Sequence, residues 1–92
     1  MTSQNKIEKF FNISVPSIET WDGLMFVISL IKSNGLDTTL GINFSKNTAI
    51  LKTSIKLNDN KIQYIQKSVS GDLKKGVLGL ILYYIKRYEE LS

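Results

Sequence analysis

The chain has 92 residues and contains neither cysteine nor histidine. The first absence excludes a disulfide scaffold and thiol catalysis. Together they exclude zinc sites of the usual Cys/His kind and any histidine-based proton relay. The longest apolar runs, LMFVISLI and GVLGLILYYI, fall well short of the roughly 20 residues that span a bilayer, so no membrane segment is expected. The opening residues are uncharged and lack the basic, apolar and small-residue layout of a signal peptide, so a cytoplasmic location is expected. There is one proline, and no internal repeat, low-complexity tract or linker is visible. Glycines do not form a phosphate-cradling loop: Gly76 and Gly79 fall inside an expected helix and Gly41 inside an expected strand. The eight carboxylates show no paired spacing that singles any of them out. No catalytic residue, cofactor or metal site is expected, and the chain does not read as an enzyme.

What is present is a globular composition. Apolar residues make up 42% and charged residues 22% of the chain, enough for one modest core in a single domain over residues 1–92. Twelve basic against eight acidic side chains leave a net charge of +4, compatible with an anionic partner.

Read in order, residues 6–15 alternate, with Phe11, Ile13 and Val15 on one side and Phe10, Asn12 and Ser14 on the other; this predicts a first strand ended by Pro16. Ser17 offers an N-cap, and a helix is expected over 18–32 with Trp21, Leu24, Met25, Ile28 and Ile31 on its main stripe. Ser33, Asn34 and Gly35 would stop it. Phe26 and Leu30 fall opposite that stripe, so either they are exposed or something else covers them.

Strands are expected over 40–44, 49–57 and 61–69. A two-residue Asp59-Asn60 turn would set Leu57 opposite Ile62, Ile55 opposite Tyr64 and Thr53 opposite Gln66 on the core face. Lys52 and Lys67 would then be neighbours on the other face, with Lys56 nearby. Ser70 or Asp72 should cap a long last helix. The expected fold class is therefore α+β, an antiparallel sheet with two helices packed on one face in the order β-α-β-β-β-α.

On a helical wheel, Leu73, Val77, Leu80, Ile81, Tyr84, Tyr88 and Leu91 form one stripe of the last helix. Leu78, Leu82 and Ile85 form a second beside it, and the two together cover roughly 200°. One sheet face needs about half of that, so a second subunit is expected over Leu78, Leu82 and Ile85. Gly76 and Gly79 in the same helix suggest a close backbone approach there. The basic candidates for RNA contact are Lys52, Lys56 and Lys67 on the sheet, with Lys74 and Lys75 opening the last helix. A solvated, lysine-protected sheet face is the plain alternative.

FNISVPS ahead of the first helix, IKLNDNKIQYIQ as a hairpin and DLKKGVLGLILYYIK as the final helix together resemble the small dimerisation subunit of the KEOPS complex, which makes the threonylcarbamoyl modification of tRNA. Lys75-Gly76 falls where that family has a basic residue followed by a small one, and Leu82, Tyr84, Ile85 and Lys86 fall on its leucine, aromatic, aliphatic and basic positions. Gly79-Leu80 stands where the family has Asn-Ser, Lys75 where it has Arg and Tyr84 where it has Trp, which suits a divergent paralog. The resemblance implies a non-catalytic assembly subunit that forms a homodimer or pairs with a paralogous small subunit, alongside a larger catalytic subunit and tRNA. A helix, three strands and a helix, with Trp21 near the start, is also similar to the small Alu-domain subunits of the signal recognition particle. That resemblance implies a direct RNA-binding module.

Overall fold

The structure is a computed structural model describing residues 2–34 and 37–91. Its elements run α1 (Ser3–Phe11), α2 (Trp21–Asn34), β1 (Thr39–Asn43), β2 (Thr48–Lys56), β3 (Ile62–Ser70) and α3 (Leu73–Leu91). The α+β class and the antiparallel three-stranded sheet, ordered β1-β2-β3, are as expected. The order of elements is not, because the chain begins with a helix where a strand was expected.

The alternation over 11–15 is real but too short to decide the structure. Ile7, Phe10 and Phe11 fall at i, i+3 and i+4, on one face of a helix. Thr2 caps that helix by accepting the Asn5 N–H at 3.1 Å. Asn12 ends it in the left-handed region at φ 56°, which Asn tolerates better than most residues. The following segment forms no strand, and its backbone pairs with side chains of α1. Val15 N–H donates to Glu8 Oε2 at 2.8 Å. Gln4 Nε2 donates to the Val15 carbonyl at 2.8 Å, and Gln4 Oε1 accepts from Ile18 N–H at 2.9 Å. Gln4 and Glu8, one turn apart, thus act as a clamp on residues 15–18.

Helix α2 begins later than expected. Its cap is Thr20, whose Oγ1 accepts from Gly23 N–H at 3.1 Å and donates to the Ser17 carbonyl at 2.6 Å. A side chain at Gly23 would overlap the Ser17 carbonyl, so only glycine lets the helix start pass beneath this loop. Leu24, Val27, Ile28 and Ile31 are buried while Met25 is exposed, which moves Val27 into the core stripe and Met25 out of it. Phe26 and Leu30 are half-buried against the core. The stop expected at Gly35 lies outside the described residues.

Helix α3 is capped by Asp72, whose Oδ1 accepts from Lys75 N–H at 3.1 Å. It lies against β2 and β3, and both α1 and α2 pack on it. Val77, Leu80, Ile81, Tyr84 and Ile85 are all buried within the chain. The ring of Phe10, from α1, sits edge-on to Tyr84 and Tyr88 with centroids 6.2 and 5.2 Å away. Cover for α3 thus comes from within the chain, and one of the two helices packed on it is α1, an element the strand reading had placed in the sheet. Burial, with a smaller contribution from neighbouring Tyr88, pushes the Tyr84 hydroxyl up to about 12.

Candidate nucleic-acid interface

The β2–β3 hairpin decides what the sheet presents. The connection is a three-residue loop: Leu57 N–H donates to the Lys61 carbonyl at 2.8 Å, and Asn60 N–H donates to the Leu57 carbonyl at 3.2 Å. Asn60 takes φ 65°, the left-handed position that three-residue hairpin loops require. The pairs are consequently Lys56↔Ile62, Ser54↔Tyr64, Thr53↔Ile65, Lys52↔Gln66 and Leu51↔Lys67. Relative to the two-residue register the whole of β3 is turned over, since a slip of one residue sends every side chain to the opposite face.

Ala49, Leu51, Thr53 and Ile55 form the face toward α3, joined by buried Ile65 and half-buried Val69 from β3. The Thr53 hydroxyl, though buried, is paired with Thr38 Oγ1 at 2.6 Å. The opposite face carries Lys52 and Lys56 from β2, Ile62, Tyr64, Gln66 and Ser68 from β3, and Thr39 and Gly41 from β1. All eight are exposed, and the Tyr64 ring, at 64% exposure, is one of the most open large side chains in the chain. Next to it in the grid Ser54 is buried.

Lys52 and Lys56 lie four residues apart on one strand, about 13 Å at 3.3 Å per residue, with the Ser54–Tyr64 pair midway. Thr39 and Gln66 flank Lys52. Further along, Gly41, Asn43, Thr48, Ile50 and Ser68 line a shallow depression of about 440 Å³. The three strands hold three lysines and no carboxylate. Of the acidic groups in the flanking turns, Asp59 pairs with Lys61 at 3.4 Å at the hairpin tip, and Asp37 precedes β1.

The other expected site residues are dispersed. Lys67 is not beside Lys52: it belongs to the helix-side face, its ammonium 5.4 Å from the Tyr83 ring centroid. Lys74 and Lys75 lie in the first turn of α3 and border an open groove of about 870 Å³ with Thr2, Ser17, Glu19 and Leu78. Both helix starts at that groove are capped by their own side chains, Thr2 and Asp72.

Of the expected interface residues, Ile85 has no exposed surface and is core. Gly76 does mark a close approach, but an internal one: a Cβ there would lie 2.8 Å from Val69 Cγ2 of β3. Leu78 and Leu82 are half-buried against the core. Gly79 is exposed, and a Cβ there would meet open space.

Tyr64 is the member of the face that sequence reasoning missed, because the two-residue register had set it on the core face. The available signal was Asn60, a residue suited to the left-handed position of a three-residue loop. Among the described residues no group of three or more acidic side chains could hold a metal ion, and no helix is long and apolar enough to cross a membrane. Comparison of the chain with protein-family models, curated proteins and solved structures gave no match.

Proposed function

We propose that the protein is a small, non-catalytic RNA-binding module that acts through the uncovered face of its sheet. The observation that carries this is the placement of Tyr64, 64% exposed, between Lys52 and Lys56 on a surface whose strands hold no carboxylate. Lysines meet phosphate and an exposed aromatic ring meets a base, the two contacts that nucleic-acid-binding sheets combine. The order α2-β1-β2-β3-α3, with Trp21 at the start of α2, also agrees with the resemblance to the small Alu-domain subunits of the signal recognition particle. Replacing both Lys52 and Lys56 by Glu is expected to abolish retention on immobilised RNA at low salt without moving the melting temperature. Retention equal to the parent protein would leave those lysines as solvated surface and remove the reading.

The second reading is an assembly subunit of a KEOPS-like, tRNA-modifying complex in the cytoplasm, paired with a second copy or a paralogous small subunit. What favours it is the outer side of α3, where half-buried Leu78 and Leu82 flank the open space beside Gly79. The strand ending in Pro-Ser no longer supports it, because residues 3–11 are helical. Solution mass by light scattering tests it: a dimer that persists at high salt and is broken by Leu82→Asp supports pairing through α3, and a monomer at every salt concentration removes self-pairing.

A further inference from the structure

Resting on the RNA-binding reading, we propose that the uncovered sheet face takes single-stranded rather than duplex RNA. One base stacks on Tyr64, a second sits over Gly41 and Ile50, and Lys52 lies against the phosphates between them.

The two seats and the cation lie in one line. Tyr64 is opposite Ser54, Gln66 is opposite Lys52, and Ser68 is opposite Ile50, which pairs on its other side with Gly41. From Ser54 to Ile50 is four residues of β2, about 13 Å, with Lys52 at the midpoint. Glycine at position 41 leaves the floor beside Ile50 without a side chain, and the resulting depression of about 440 Å³ is open to the same face as the Tyr64 ring. It has an apolar floor at Ile50 and polar rims at Asn43, Thr48 and Ser68, a lining that suits a flat ring with hydrogen-bonding edges. In a duplex the bases are stacked at about 3.4 Å and their faces are occupied by one another, so neither seat could be filled. An extended single strand, whose bases are splayed, fills both while its phosphates pass Lys52. Charge complementarity supports an RNA occupant of either form, because the strands supply lysines and no carboxylate.

The probes are a dye-labelled uridine-rich RNA of roughly ten nucleotides, within the site size of single-strand grooves, and the same strand annealed to its complement, both read by fluorescence anisotropy. The parent protein should prefer the single strand, with a log–log salt slope near −1.4 for two phosphates at about −0.7 each. Tyr64→Ala should weaken single-strand binding by about tenfold, Tyr64→Phe should retain it, and neither should alter the thermal melt. Gly41→Val, which fills the second seat with a residue suited to strands, should weaken it severalfold. Equal affinity for single strand and duplex would overturn the proposal. So would a Tyr64→Ala protein that binds like the parent while Lys52→Gln still weakens binding; in both of these cases RNA binding through phosphates alone would stand. Failure of the parent protein to bind either probe at low salt would overturn the RNA-binding reading as well.

Discussion

Truncation of Ile85 separates the two accounts of what covers α3. The side chain has no exposed surface within a single chain. Ile85→Ala removes three carbon groups, about 2.4 kcal/mol of transfer free energy at ~0.8 per group. With the cavity that incomplete relaxation leaves, the expected loss is about 2–5 kcal/mol. Small domains are stable by only about 5–15 kcal/mol, and at this chain length each kcal/mol moves the melting temperature by about 4–8 °C. A fall of at least about 10 °C is therefore expected. Urea unfolding followed by Trp21 emission should show the midpoint falling by the same amount at high and low protein concentration, because the packing is internal. A loss that deepens on dilution would mean that a second copy completes the site. An unchanged midpoint would show that Ile85 is not in the core at all. Either result would refute the coverage of α3 by α1 and α2.

Two glycines of α3 should respond differently to alanine. Gly79→Ala has open space and should raise stability by about 0.5–1 kcal/mol through helix propensity, whereas Gly76→Ala must displace the stiff Val69 side chain and should lower the melting temperature below that of the Gly79 variant. Gly23→Ala forces a side chain into the Ser17 carbonyl and should unfold the junction between the 12–20 segment and α2, seen as loss of protection of the Ile18 amide in hydrogen exchange. The raised Tyr84 pKa has a pH signature: the unfolded chain begins to lose this proton near pH 10 and the folded chain only near 12, so stability present below pH 10 should be lost as pH rises toward 12. Tyr84→Phe should flatten that fall in urea titrations, and an identical slope in the variant would show that Tyr84 is not the group responsible.

Elements whose signals are local could be read directly from the chain. The three-strand meander follows from alternating runs separated by turn residues, and α3 follows from a long apolar stripe behind Asp72. The surplus apolar arc of α3 was also legible, though not what covers it. Residues 6–15 satisfied both a period of two and a spacing of three and four, and ten residues are too few to separate them. The two-residue hairpin turn expected from local polarity is a three-residue loop in the structure.

Composition alone ruled out cysteine and histidine chemistry, and residue order alone placed α2, the strands and α3 to within a few positions. Three matters were left to tertiary structure. Residues 3–11 became a helix because Gln4 and Glu8 could hold the backbone of 15–18, a set of bonds between groups seven to fourteen residues apart that no local pattern encodes. Strand β3 turned Ile65 inward and Tyr64 outward because its register had to bury Ile65 and Val69 under α3 as well as close the turn. Ile85 became core rather than interface because α1 and α2 both pack on α3 within the chain and leave it no exposed surface. In each case the deciding contact joins different segments of the chain, so it exists only once they are folded together.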